Sequence, residues 1–243
     1  MVLRCLKPKL VISVDDLLGQ EKEGVIKYQL QFHEQELTED LLNTRQTLLK
    51  TLDDVVTELN SSRSLLKANA LIGQDPLRYG GDGFGNISIR VDGLKFLISG
   101  SQTGHVDYLT ARDLALVDGF NIYQNQLSAT GLAKPSSESM THGVCFQAFT
   151  EIAAVIHVHS PDIWQAVDDL ELPFTDQSIP YGTPQMAQAV NALLDKHFLN
   201  SQPTIFAMKG HEDGIVAVGK SLESCTSSLL DCLNQSILVK RHS

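Results

Sequence analysis

Residues 134–142, Lys-Pro-Ser-Ser-Glu-Ser-Met-Thr-His, followed at 153–159 by Ala-Ala-Val-Ile-His-Val-His, decide the reading of this chain. Pro135, Ser136 and Ser137 are residues that open helices: proline presets φ, and serine hydroxyls accept from free N–H groups. They predict a helix with Glu138 in or near its first turn, running to about Thr150, with Met140, Val144, Cys145, Ala148 and Phe149 on an apolar face. The uncharged run that follows predicts a buried strand, ended by Ser160 and Pro161. Side chains two apart on a strand share a face, so His157 and His159 project together, at a spacing suited to two imidazoles on one metal ion. A lone histidine in such a run is more often a satisfied core residue. A His-x-His pair behind a Ser-Ser-Glu helix start favours the metal.

Upstream, Ile26, Tyr28, Leu30 and Phe32 alternate with Lys27, Gln29 and Gln31, the pattern of a half-buried strand. Thr38 is placed to cap a helix whose apolar positions run from Leu41 to Leu59 and whose pattern ends near Asn60-Ser61-Ser62. A second short helix is expected over about residues 62–72, the two forming a hairpin on the sheet. Residues 73–86 form a glycine-rich loop in which backbone N–H groups can approach an anion. The loop lacks the Gly-Lys-Ser/Thr of a nucleotide-binding loop, and no helix follows it. Asn86–Arg90 reads as a strand, with Leu94–Ile98 as its hairpin partner across Asp92-Gly93. Residues 99–105 make a second small-residue loop, and residues 110–118 a capped turn leading to a strand. Further on, helices are expected over Ser160–Val167, Thr183–Leu194 and Leu222–Leu238, with strands at Thr204–Met208 and Ile215–Val218.

The totals narrow the function classes. A chain of 243 residues with 42% hydrophobic and 20% charged residues matches an ordinary soluble domain with a sizeable core. A net charge of −10 argues against a nucleic-acid surface. Cys5, Cys145, Cys225 and Cys232 lack paired metal-type spacing, which points to a reducing, cytoplasmic setting. The apolar run Leu10–Val14 is too short for a signal-peptide core, and no stretch is long enough to span a membrane.

Five pieces in order, Gly85-Asn86-Ile87-Ser88 with Arg90, Thr103-Gly104, Pro135-Ser136-Ser137-Glu138, His157-Val158-His159 and Gly210-His211, resemble the class II aldolase and adducin family. The resemblance covers residues from about 40 to 238. It implies a three-layer α/β/α fold around a central, mainly antiparallel sheet, assembled as a homotetramer. It divides the chain into an N-terminal extension, 1–35, and a family domain, 36–243. It further implies Zn2+, or another divalent ion such as Mn2+ or Co2+, held by His157, His159 and His211. Glu138 becomes the catalytic base, and Gly85, Asn86, Thr103, Gly104, Ser136 and Ser137 the holders of a substrate phosphate. The implied activity is a lyase of the aldolase type acting on a small ketose phosphate through a metal-stabilised enediolate. An epimerase, dehydratase or decarboxylase of the same family is the alternative, as is a non-catalytic adducin-like binding module. Family epimerases tend to carry Asp at the position of Glu138, and binding modules generally lack the ligand histidines. The chain departs from the pattern where Glu212-Asp213 separate His211 from Gly214; the family histidine is usually followed at once by glycine. Tyr181 is the only tyrosine placed to match the family's proton donor, which reaches into a neighbouring subunit.

Overall fold

The computed structural model describes residues 24–42 and 51–242. In chain order the elements are β1 (Gln29–Glu34), α1 (Glu39–Leu42), α2 (Leu52–Ala68), β2 (Gly73–Gln74), β3 (Gly83–Phe84), β4 (Asn86–Asp92), β5 (Lys95–Ser99), β6 (Leu114–Asn121) and β7 (Gln126–Gly131). They continue with α3 (Ser139–Ala148), β8 (Ala154–His159), α4 (Pro161–Gln165), β9 (Phe174–Thr175), α5 (Pro184–His197), β10 (Thr204–Met208), β11 (Gly214–Gly219) and α6 (Leu222–His242).

Nine strands form one sheet in the order β1-β7-β6-β5-β4-β8-β11-β10-β9, while β2 and β3 pair separately. Its ladders are antiparallel except for the outermost pairs, β1 with β7 and β10 with β9. The pleat sends alternate residues of β8 to opposite layers. Ala154, Ile156 and Val158 pack with Val55, Leu59, Ile163 and Leu229 of α2, α4 and α6. Val155 packs with Met140, Val144, Met186 and Val190 of α3 and α5. The result is the expected three-layer α/β/α arrangement around a mainly antiparallel sheet, and His157 and His159 share the α3–α5 side with Val155. Burying each such aliphatic side chain is worth roughly 1.5–3 kcal/mol, so β8 is anchored from both faces.

Several local expectations are corrected. The helix expected to end at Asn60-Ser61-Ser62 runs unbroken from Leu52 to Ala68, and it starts from a capping box of Thr51 with Asp54. The presumed breakers satisfy the helix from within: Asn60 Nδ2 donates to Val56 O and Leu109 O, and Ser61 Oγ to Thr57 O. The sequence reading had no counterpart for β7, which joins β6 to β1. Helix α3 has no single apolar face; Ser139 through Phe146 are all buried. The edge strand β1 comes from the segment read as an extension. Cys145, Cys225 and Cys232 are free and buried, and Cys5 lies outside the described residues. Among the described residues no helix is long and apolar enough to cross a membrane.

Arg63 is the largest fully buried side chain, and its guanidinium donates to four carbonyls, Thr103 O, Gly104 O, Val106 O and Asp107 O. Burial lowers its pKa, opposed by the charges of Asp107 and Asp113. Replacing it by leucine would remove the guanidinium from all four carbonyls, of which Thr103 O keeps Val106 N and Val106 O keeps Lys67 Nζ, and the expected cost is about 3 kcal/mol. Urea unfolding would check this; a loss below about 1 kcal/mol would contradict it.

Candidate metal centre

Strand β8 delivers the first two histidines. Both are buried, at 1% and 0% exposure, and their Nε2 atoms lie 3.1 Å apart. His211 follows β10, in the turn before β11, at 2% exposure. The ring centroids make a nearly equilateral triangle: 4.9 Å from His157 to His159, 5.0 Å from His157 to His211 and 4.8 Å from His159 to His211. The ligand nitrogens of all three lie within 4.8 Å of one another.

The donor chemistry fits a divalent ion. His157 Nδ1 lies 3.1 Å from Ile215 O. A carbonyl only accepts, so Nδ1 carries the proton and the lone pair of Nε2 faces the other two rings. Zinc–nitrogen bonds of ~2.05 Å in a tetrahedron separate two ligand nitrogens by ~3.3 Å, close to the observed Nε2–Nε2 distance. Burial pushes the pKa of both β8 histidines well below 6.5, and the neighbouring histidines push in the same direction. Both are therefore neutral at pH 7, the form that ligates metal.

Glu138 sits at the same end of the sheet. Ser88 pairs across the ladder with Val155, and Asn86 with His157. His142 Nδ1 lies 2.6 Å from Ser88 Oγ, which sets α3 over that pair. Gly100 bridges Pro135, which puts the start of α3 at the Asn86 end. One helical turn back from His142, about 5.4 Å, is Glu138; two residues along the strands, about 6.7 Å, lead from Val155 to His157. Glu138 is 2% exposed and occupies the N-cap position, next to the first turn. Thr141 Oγ1 donates to its Oε2 at 3.2 Å.

The six expected phosphate holders lie on three adjoining segments. Gly85 has φ of +74°, and a Cβ there would sit 2.7 Å from Ile72 Cγ1 and 3.1 Å from His157 O, so this approach requires glycine. Asn86 is buried beside His157 on the neighbouring strand. Gly104 packs so closely on Gly73 and Gly83 that a Cβ would overlap the Gly73 carbonyl. Thr103 Oγ1 is spent on Gly100 O at 2.8 Å, which leaves backbone as the donor of this loop. Ser136 and Ser137 are each 5% exposed, and Tyr28 donates to Ser136 O at 2.8 Å. Arg90 is no ligand: it donates to Phe146 O and Phe149 O and so ties down the end of α3.

Tyr181 does not reach outward. It is 2% exposed and stacks flat on His211 of its own chain, centroids 4.1 Å apart at 12°, with Lys27 Nζ 3.7 Å above its ring. Sequence reasoning missed Tyr79, which packs edge-on against His159 and donates to Asp213. The aberrant Glu212-Asp213 step after His211 was its only signal. Reasoning also missed the buried His142–Ser88 pair.

Desolvation holds His142 down to about pKa 3. Below pH 6.5 the unfolded chain protonates this histidine and the folded chain does not. Stability is therefore lost as pH falls from 6.5 towards 3, by about 1.4 kcal/mol per pH unit. Urea midpoints of chelator-treated protein at pH 7 and pH 5 should show this loss, and His142→Asn should reduce it; an unchanged pH dependence in the variant would contradict the assignment.

Residues 77–232 match the family model for the class II aldolase and adducin N-terminal domain. Solved structures with similar folds include L-fuculose-1-phosphate aldolase from Thermus thermophilus. It has 19% identity and a TM-score of 0.57, over 77% of this chain and 93% of that one. A sugar-phosphate aldolase from Thermotoga maritima gives 14% identity and a TM-score of 0.60, over 78% and 95%. YgbL from Klebsiella pneumoniae, whose description leaves aldolase, epimerase or decarboxylase open, gives 18% and 0.58, over 79% and 91%.

Proposed function

The chain belongs to the class II aldolase and adducin family, and from that premise we propose that it is a zinc-dependent lyase of the aldolase type that cleaves a small ketose phosphate. The observation that carries this reading is the buried triangle of His157, His159 and His211, with Glu138 at the same end of the sheet. His157, His159 and His211 would hold the ion, with Mn2+ or Co2+ as substitutes. When bound, a divalent ion supplies Lewis-acid polarisation of a carbonyl and stabilises negative charge developing beside it.

The chain's own residues do the rest. Backbone N–H groups at Gly85, Thr103 and Gly104, with Asn86, Ser136 and Ser137, orient the phosphate and with it the sugar. Glu138 moves the proton at the carbon beside the carbonyl. In condensation its carboxylate removes that proton and delivers it to the new hydroxyl; in cleavage it takes the proton of the hydroxyl that becomes the aldehyde oxygen as the C–C bond breaks, and returns it to the carbon left behind. Burial keeps water from competing for that carbon.

An epimerase, dehydratase or decarboxylase would use the same histidines, and the neighbour whose description names epimerase and decarboxylase keeps that second reading in play. An adducin-like binding module has no use for three converging buried imidazoles. Incubating zinc-loaded protein with a panel of ketose phosphates and trapping released aldehyde separates these outcomes. The proposal expects aldehyde; an isomeric sugar phosphate without aldehyde would replace the aldolase by an epimerase. We extend the reading to a cytoplasmic homotetramer, for which light scattering should return four times 26.7 kDa. A stable monomer at micromolar concentration would refute the assembly.

A further inference from the structure

The glycine-rich loop between β2 and β3 and the turn between β10 and β11 meet beside His159. Tyr79 Oη donates to Asp213 Oδ2 at 2.6 Å, and its ring packs edge-on against the His159 imidazole, centroids 4.6 Å apart at 70°. Arg78 Nη2 donates to Tyr79 Oη at 2.9 Å and to His159 O at 3.2 Å, while its Nη1 binds Ala70 O at 2.8 Å. Asp213 lies two residues beyond His211, and its carbonyl accepts from Ser160 N, the residue after His159, at 2.9 Å. One carboxylate-bearing residue thus joins the turn carrying His211 to the end of the strand carrying His159.

Both ends of the Tyr79–Asp213 bond have left-handed backbone, with φ of +49° at Tyr79 and +60° at Asp213. Neither is glycine, so both conformations are disfavoured and are held by their surroundings. Asp213 also belongs to the two-residue step by which this chain departs from the usual histidine-glycine pattern.

We propose that Tyr79, Arg78 and Asp213 form a latch that fixes His159 and His211 in their ligating arrangement and so sets the affinity of the centre for a divalent cation. The latch rests on the three-histidine reading of the site. These are positioning residues: none supplies a ligand atom, and each acts through a histidine or its backbone. A ligand ring that is ordered before the ion arrives loses less conformational freedom on binding, and groups that orient ligand histidines commonly contribute 10–100-fold in metal affinity.

Zinc affinity of the full chain, measured by competition with a chromophoric chelator, tests the latch. Tyr79→Phe keeps the ring and removes the hydrogen bond. Asp213→Gly removes the accepting carboxylate, and glycine adopts the left-handed backbone without strain. Each variant is expected to bind zinc about 10-fold more weakly and to release it faster. The double variant should be no weaker than the worse single, because one interaction is lost in all three. The metal-free melting temperature should change little. Lower metal-free stability with parental zinc affinity would reduce the trio to a loop staple and overturn the latch. A parent that takes up no zinc would instead overturn the metal reading itself, so the two failures are distinguishable.

Discussion

Replacing His157 with alanine is expected to empty the centre of metal and bring turnover to background. The Nδ1–H of this histidine is held by Ile215 O, so its Nε2 is already the basic nitrogen. Two imidazoles remain after the change, too few for the three-protein-ligand arrangement of an open catalytic site. The lost ion would have contributed several kcal/mol of charge stabilisation, which is several powers of ten in rate. The hydrogen bond from His157 Nδ1–H to Ile215 O is lost as well, at a structural cost of about 0.5–1.5 kcal/mol. Elemental analysis of chelator-free protein, with circular dichroism to check folding, reads the outcome. A folded variant with parental metal content would mean that the site is misassigned.

Glu138→Gln should leave the metal in place and lower turnover by about 100-fold or more, the usual scale for a general base. Glutamine has the size of glutamate and keeps an oxygen that can accept from Thr141, so α3 retains its start. It cannot take up and return a proton. If Glu138 served only as the N-cap of α3, the exchange would cost a little stability and leave turnover nearly intact. Measuring turnover, metal content and melting temperature on the same preparation separates the two roles. Near-parental turnover with full metal content would assign the proton to another group.

The parts of the fold that were legible in the sequence are those dictated by local patterning. Strand β8 declared itself because six consecutive buried residues leave no room for charge, and the His-x-His pair because a two-residue period places both rings on one face. The Asp92-Gly93 turn likewise specified the β4–β5 hairpin. Tertiary partners decided what was misread. Asn60 looks like a helix breaker until Leu109, 49 residues away, satisfies its amide. Strand β7, with Gln126, Ser128 and Gly131 among its six residues, carries little strand propensity and is held by neighbours on both sides. Tyr79 was hidden in the same way: its role exists only through Asp213, 134 positions further along the chain. His211 stood out by resemblance alone, since a lone histidine in a turn has no period to betray it.

The central claim is that three histidines hold the ion on which cleavage of a ketose phosphate depends. Its most direct test is a zinc titration of chelator-stripped protein while aldehyde release from a ketose phosphate panel is followed. Activity should rise from background to a plateau at about one equivalent of zinc per chain. Aldehyde release at full rate from the stripped protein, unmoved by added zinc, would contradict it.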